Sequence, residues 1–448
     1  MNKSRIAVIG SGISGLSCAW LLSQRHDVTL IEADKRLGGH SHTVEVQVGD
    51  QMFAIDTGFI VSNTWTYPNF TALMDYLDQP MVDTPMSFSV SMDEQRYEYS
   101  ATHLGTLFGR ARQWLDPAHW RMLADLVRFY RTAEMAAKTA PADLTLGQYF
   151  LKAGYSEAFM RRHLLPIAGA IWSATPDEIA GYPFRAFVDF FSNHRLFTLG
   201  KRPDWRTVEG GSREYVEKLV ADARFDSKCG VAVSNISREA NGVNVQMADG
   251  GAAHFDQVVL ATHADQALRL LTDASDEEQE LLSHFKTSTN QVYLHRDVSL
   301  MPKTQRFWSA WNYHGHANVA EEKLAVTYWM NALQKLDSPV DHLVSLNPPK
   351  APAAELTDGT YTYHHPIFTK ANLQAQKHLW DLQGVRRTWF CGAWFGAGFH
   401  EDGLQSGLAV AEQLGGLTRP WKLDNPSSRI HASAAKPLER EHYLPAAE

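Results

Sequence analysis

Residues 5–39 read RIAVIGSGISGLSCAWLLSQRHDVTLIEADKRLGG. Arg5 to Ile9 is a short apolar run of the kind that forms a buried parallel strand. It ends in Gly10-Ser11-Gly12-Ile13-Ser14-Gly15, a GxGxxG, and a helical pattern follows from Ile13 to Gln24. A second apolar run, Val28 to Ile31, stops at Glu32, 17 positions after Gly15. Gly10 allows the tight turn, Gly12 lets backbone approach a pyrophosphate, and Gly15 lets helix and strand pack closely. The phosphates then meet the free N–H groups at the helix start, and Glu32 can accept from both ribose hydroxyls. A lone GxGxxG is weak evidence, but strand, helix and acid all stand in place here. The stretch therefore predicts an adenine-dinucleotide site, without choosing between NAD and FAD.

Downstream, Gly38 and Gly39 again suggest backbone close to a ligand. His40, Ser41, His42 and Thr43 lead into a hairpin, Val44 to Val48 and Gln51 to Ile55, closed by Asp56-Thr57-Gly58-Phe59. From about residue 67 to 200 the pattern turns helical. Trp120, Leu123, Val127, Tyr130 and Met135 recur at helical spacing among Arg121, Arg128, Arg131 and Lys138, with Arg110 and Arg112 just before. Such a helix either faces a membrane or packs on its own domain with a solvated charged face. Trp205 to Val220 reads as a Gly-Gly turn opening a helix. Strands are expected at Val231–Ile236, Val243–Met247 and Phe255–Thr262, the last including Ala261. A helical, aromatic-rich region is expected from Asp276 to Leu382. Thr388–Phe390 is a short strand entering Cys391-Gly392-Ala393, followed by a helix at Leu404–Leu414. The residues after Pro420 read as peripheral.

The 448 residues carry 44% hydrophobic and 21% charged residues, ordinary for a globular protein. A net charge of −8 gives no electrostatic footprint for nucleic acid. Cys18, Cys229 and Cys391 are too far apart for a metal or redox motif and suit a reducing cytoplasm. Met1 to Leu22 imitates a signal peptide, yet the glycine fingerprint explains its apolar run better. No apolar stretch reaches transmembrane length. The expected location is the cytoplasm, with peripheral contact at the inner membrane left open.

These motifs together resemble the flavin amine oxidase, protoporphyrinogen oxidase and phytoene desaturase superfamily. Glu32-Ala33 with Arg36 and Gly38-Gly39 is similar to its second, FAD-specific fingerprint. Val208–Leu219 is similar to its Gly-Gly-helix motif, Val231 to its adenine-end strand, and Gly392 with the helix Gly403–Ala411 to its C-terminal flavin motif. The resemblance implies non-covalent FAD held by Gly10, Ser11, Gly12, Ile13, Ser14, Gly15, Glu32, Ala33, Arg36, Gly38, Gly39, His40, Thr43, Gly58, Phe59, Val231, Ala261, Gly392, Ala393, Asp402, Gly403 and Leu404. The fold expected is α/β with α+β insertions. A discontinuous Rossmann-like FAD-binding domain (1–66, 201–275 and 383–420) would carry a substrate domain of helices and a mixed sheet (67–200 and 276–382). Residues 421–448 would form a tail.

A nearer resemblance is to bacterial predicted NAD/FAD-binding flavoproteins whose genes accompany cyclopropane-fatty-acid synthase-like methyltransferases. It rests on Pro166, Trp172-Ser173, Phe190-Phe191-Ser192-Asn193-His194, Trp311-Asn312-Tyr313, Tyr328-Trp329-Met330-Asn331, His365-Pro366 and Gly398-Phe399-His400-Glu401-Asp402-Gly403-Leu404. It implies dehydrogenation or desaturation of a fatty-acyl or phospholipid-linked substrate by hydride transfer to flavin N5, with a lipid methyltransferase as partner. Two positions depart from the superfamily. Ala393 stands where an acid usually follows the glycine, so Glu401 or Asp402 would take its place. Asn290 to His295, where amine oxidases carry a lysine near the flavin, contains none.

The candidate catalytic residues are His400 and Glu401, on the loop expected beside the flavin ring, and His364 and His365 in the substrate insertion. A positioned histidine or carboxylate could act as general base, whereas Asp402 could equally cap a helix. His40/His42 and His314/His316 invite a metal, but no third ligand is placed and none is expected. Three functional classes stand open: a lipid dehydrogenase, an amine or small-molecule oxidase releasing hydrogen peroxide, and a non-catalytic flavoprotein partner of a methyltransferase.

Overall fold

Arg5–Ile9 is the central strand of a five-stranded, all-parallel sheet. The strand order across it is Asp226–Lys228, Asp27–Ile31, Arg5–Ile9, Gln257–Leu260 and Thr388–Phe390. Ile6, Ala7 and Val8 have no exposed surface, as expected for a strand covered on both faces. Chain order reverses at this strand, and in open α/β sheets that switch point, at the carboxyl ends, is where ligands sit. The helix Ile13–Ser23 is buried along its whole length, and the helix His400–Gly415 packs on it. A Cβ at Gly407 would collide with the Ser14 carbonyl oxygen and lie 2.6 Å from Ser17 Oγ. Gly407→Ala is therefore expected to cost about 2 kcal/mol by overpacking. An unchanged thermal midpoint would contradict this close helix contact.

The structure is a computed structural model that describes residues 3–93, 95–101, 104–109, 111–141, 143–172, 175–193, 197, 204–315 and 325–432. The parallel sheet belongs to one compact unit, Met1–Leu37, Asp222–Ser283 and Gln374–Glu448. An antiparallel three-stranded sheet, Val233–Glu239, Gly242–Met247 and Ala252–Phe255, lies in the same unit.

The second unit comprises Gly38–Ala221 and His284–Leu373. Its main sheet has seven strands in the order Thr357–Pro366, Thr287–His295, Leu343–Leu346, Ala325–Trp329, Trp311–Gly315, Phe88–Met92 and Tyr97–Ser100. All neighbours are antiparallel except Trp311–Gly315 with Phe88–Met92, so the sheet is mixed. Val292, Leu294, Val344 and Leu346 join Val46 and Ile55 of the hairpin in one apolar core. Helices Pro117–Thr139, Leu146–Ala153, Leu165–Trp172 and Phe184–Asn193 form the helical part, around the buried rings of Phe129, Phe150, Phe159 and Phe187.

The α/β class and the mixed sheet are as expected, but several particulars differ. The region from Asp276 to Leu382 supplies five of the seven strands of the mixed sheet, alongside helices such as Asp276–Ser283 and Lys370–Ala375. Thr287–His295 buries Asn290, Val292 and Leu294 at period 2, but its first five residues are all polar, which hides that signal. The strands Phe88–Met92 and Tyr97–Ser100 also interrupt the region read as helical. The compact units divide after Leu37, Ala221, Ser283 and Leu373, and among the described residues 38–66 and 204–221 lie in the second unit. The reason is pairing: Trp205–Val208 bonds to Ser62–Asn63 and Met81–Asp83. The segment after Pro420 is not merely peripheral. Trp421 stacks on Trp20 with centroids 6.1 Å apart, and Arg429 Nε donates to Asp402 Oδ1 at 2.5 Å. Arg110, Ser173, His194, His316 and residues 433–448 lie outside the described residues.

Candidate functional site

In the first unit the three fingerprint glycines are needed for three separate reasons. Gly10 has φ +98°, a left-handed conformation, and its N–H donates to Ile31 O at 2.9 Å. A Cβ at Gly15 would collide with the Gly10 carbonyl oxygen and sit 3.0 Å from Ala261 Cβ. At Gly12 a Cβ would meet nothing within 4 Å: this backbone faces open space at the start of Ile13–Ser23, which has no side-chain cap. An uncapped helix start facing open space is a phosphate cradle. Ile13 and Ser14 form the first turn, buried, so they offer backbone.

Glu32 closes the cradle. Its Oε2 accepts from Ser11 N at 2.7 Å and Ser11 Oγ at 2.6 Å, and its Oε1 accepts from Asp34 N at 2.8 Å. The Val231 N–H donates to the Glu32 carbonyl at 2.9 Å, which places Val231 beside the acid. Ala33 is exposed next to it, and Arg36 Nε lies 3.4 Å from Asp34 Oδ2. The Gly392 turn belongs to the same unit. Ser406 Oγ accepts from Gly392 N at 2.9 Å and donates to Gly403 O at 2.9 Å. A Cβ at Gly403 would lie 2.9 Å from Ile13 Cγ2 and 3.8 Å from Ala393 Cβ, so this turn abuts the first helix, and Leu404 is buried behind it. These residues fit an adenine dinucleotide: open backbone amides for the phosphates and a fixed carboxylate for the ribose.

Asp402 does not serve as expected. It is fully buried, accepts from Phe399 N at 2.8 Å as a helix cap, and pairs with Arg429. Its carboxylate is thus engaged by structure. Glu401 is also fully buried and accepts from Gln405 Nε2 at 2.9 Å. Burial lowers the pKa of the His400 imidazole to about 3, so it is neutral near pH 7. Cys391 is buried against Cys18, whose thiol pKa is raised by burial and by Cys391.

In the second unit Gly38 has φ +112° and Gly39 +56°. A Cβ at Gly58 would collide with the His40 carbonyl oxygen, which accepts from Phe59 N at 2.8 Å. Thr43 Oγ1 donates to Asp56 Oδ1 at 2.6 Å and accepts from Arg213 N at 2.9 Å. Asp56, which sequence reasoning passed over, is the hub here. It also accepts from Ser212 N at 2.9 Å and Ser212 Oγ at 2.7 Å, and its N–H donates to Gln334 Oε1 at 2.9 Å. Burial raises its pKa to about 6 against the lowering effect of those hydrogen bonds.

The structure separates His364 from His365. They are neighbours on the strand Thr357–Pro366, so they point to opposite faces. His364 Nδ1 lies 3.3 Å from Thr289 Oγ1 in an exposed position. His365 shares its face with Tyr363 and Tyr361, and its ring is 5.6 Å from that of His40. Asn347 Nδ2 donates to Asn290 Oδ1 at 2.8 Å, and Asn290 Nδ2 lies 3.2 Å from His365 Nδ1. With Asn290 Nδ2 as the donor, His365 Nδ1 accepts and Nε2 carries the ring N–H. Asn347 has φ +45°, a left-handed conformation that asparagine adopts more readily than most non-glycine residues. On the same face, Tyr363 Oη is 2.8 Å from His42 Nδ1 and 2.7 Å from Thr57 Oγ1. His42 is therefore bound by hydroxyls, and among the described residues no group of three His, Cys, Asp or Glu could hold a metal ion.

Beside this face lies a narrow cleft of about 20 Å³. Trp172, Ile179, Tyr182, Phe187, Pro366 and Phe368 make its apolar wall, with Ile367, Ser288 and Glu178 completing it. Ser288 is the register partner of His365, which ties the cleft to the histidine–tyrosine face. Glu178 accepts from Thr175 N at 2.8 Å in a helix capping box. Neither the cleft nor Asn290, Asn347 and Thr57 carried a sequence signal. Each depends on pairing between distant strands.

Comparison with known proteins accords with this geometry. Residues 13–305 match the family described as flavin containing amine oxidoreductase. An L-amino acid dehydrogenase of Synechocystis sp. is 23% identical over 260 residues, 54% of this chain and 52% of the relative. The chain spans between 52% and 60% of the length of the curated relatives it matches. Among solved structures, putrescine oxidase bound to putrescine aligns with TM-score 0.67 and 14% identity, covering 92% of this chain and 99% of the other. A CLA-producing fatty acid isomerase from P. acnes aligns with TM-score 0.63 and 18% identity, covering 91% and 97%.

Proposed function

The chain belongs to the flavin-containing amine oxidoreductase family, and from that premise we propose that this FAD-dependent oxidoreductase dehydrogenates an apolar, fatty-acyl or phospholipid-linked substrate. The observation that carries the reading is the apolar lining of the narrow cleft beside the His365–Tyr363 face. Its wall is almost wholly aliphatic and aromatic, and Glu178, its one carboxylate, is engaged as a helix cap. An ammonium group would find little there to offset its lost hydration, whereas an acyl chain gains about 0.8 kcal/mol per buried CH₂. The strand Thr287–His295 supplies no lysine to this face. A fatty acid isomerase shares the fold, so the architecture accepts acyl chains as well as amines.

FAD, when bound, supplies the two-electron acceptor that the reaction needs. The Ser11–Gly12 backbone, Glu32 and Val231 would hold its adenosine and phosphates. The apolar wall orients the chain and keeps water away from it. Asn347 and Asn290 hold His365 as a donor through Nε2, and Tyr363, hydrogen-bonded to Thr57 and His42, holds a proton at Oη. A methyltransferase acting earlier on the same lipid belongs to this proposal.

Under anaerobic conditions, phospholipid or acyl substrates should bleach the flavin of the holoenzyme and lose two hydrogens by mass. Hydrogen peroxide formation with polyamines or amino acids, and no bleaching by any lipid, would overturn the reading in favour of an amine oxidase. Ile367→Arg, which puts a charge into the cleft wall, should lower kcat/KM for the acyl substrate at least about 100-fold while flavin content stays unchanged.

A further inference from the structure

From the surface of the segment 111–139 we infer that this protein docks on anionic phospholipid bilayers. The turn before the helix Pro117–Thr139 presents Trp114 at 56% exposure and Leu115 at 87%, and Trp120 on the first helical turn is 46% exposed. The rings form one cluster. Trp114 stacks on Phe108 at 3.9 Å between centroids, Trp120 lies 4.9 Å from Phe108, and Trp120 Nε1 donates to the Trp114 carbonyl at 3.0 Å. A cluster of tryptophans around a nearly bare leucine is costly in water and suits the headgroup boundary, where indole is favoured.

The charges beside it have one dominant sign. The exposed charged residues of this segment are Arg112, Arg121, Arg131 and Lys138, against Glu134 alone. Asp125 is buried at the base of the helix, 3.3 Å from Arg121 and 3.2 Å from Arg128, and Asp116 pairs with Arg162. Met135, 67% exposed, extends the apolar surface along the same helix. A cationic stripe with apolar anchors on a chain of net charge −8 is complementary to an anionic surface with an apolar interior. A bilayer is that surface: each Lys or Arg near it strengthens binding roughly fivefold. No helix among the described residues is long and apolar enough to cross a membrane, so the contact lies in the plane of the interface. This surface would meet a bilayer whatever substrate the cleft takes.

Flotation of the FAD-loaded protein with vesicles of equimolar phosphatidylglycerol and phosphatidylcholine tests it, with pure phosphatidylcholine vesicles as control. The protein should float with the anionic vesicles, much less with the neutral ones, and be released by about 0.5 M NaCl, where screening is short. Trp114→Ala/Trp120→Ala, and separately Arg112→Glu/Arg131→Glu, should each weaken binding more than about tenfold with flavin content unchanged. The charge-reversal pair changes only exposed side chains, so it carries the test even if the aromatic pair disturbs folding. Absence of flotation with anionic vesicles would overturn the inference. So would flotation unaffected by both pairs, or a dimer in solution that these substitutions dissociate while no vesicle binds.

Discussion

Glu32→Ala should purify without colour, with its affinity for FAD weakened at least about 100-fold. The carboxylate is asked to do two things. It anchors the glycine turn through Ser11 N and Oγ at 2.7 and 2.6 Å, and it would receive the ribose hydroxyls. Each charge-assisted hydrogen bond contributes about 1.5–3 kcal/mol, so losing two moves the dissociation constant by two decades or more. Ser11→Ala separates the two tasks. It removes one bond to Glu32 and leaves the acid for the ribose, so affinity should fall only severalfold. Titration calorimetry on apoprotein measures both. A Glu32→Ala protein that retains stoichiometric FAD would place the adenosine elsewhere and undo the account of the parallel sheet.

The second large effect is expected at Asp56. Removing its carboxylate leaves Thr43 Oγ1, Ser212 N and Ser212 Oγ without their acceptor in a buried place. Asp56→Ala should therefore cost about 3–5 kcal/mol, read as a fall in the thermal midpoint. The sign of its pH dependence follows from the raised pKa of about 6. Between the unfolded value and pH 6 the folded state binds the extra proton, so stability declines as pH rises through that window. The shift from 3.8 to about 6 corresponds to an order of 3 kcal/mol. Asp56→Asn, always neutral, should show no such decline. If wild type and Asp56→Asn keep a constant difference in thermal midpoint from pH 4 to pH 7, the carboxylate is not held in this way.

How much was legible in advance varies along the chain. The first strand matched residue for residue, because Arg5–Ile9 is a buried parallel strand whose signal is a plain apolar run. Thr388–Phe390 matched for the same reason. Thr287–His295 did not, since its first five residues are polar and only its burial, at Asn290, Val292 and Leu294, alternates. Glu32 was found because its partner glycines lie close in sequence. Asp56 was not, because its partners Ser212 and Gln334 are distant. Adjacent histidines at 364 and 365 suggested a pair, and the strand sends them to opposite faces. Asp402 stood in a motif that suggested a ligand, yet Arg429, from a segment read as peripheral, engages it.

By itself the sequence determined that this chain builds a parallel sheet with a dinucleotide cradle, because strand, turn, helix and acid are local features written within about thirty residues. Only the tertiary structure decided which polar groups face one another and where the apolar cleft opens. Those outcomes depend on strand register and on the pairing of segments hundreds of residues apart, where a shift of one residue turns every side chain to the other face.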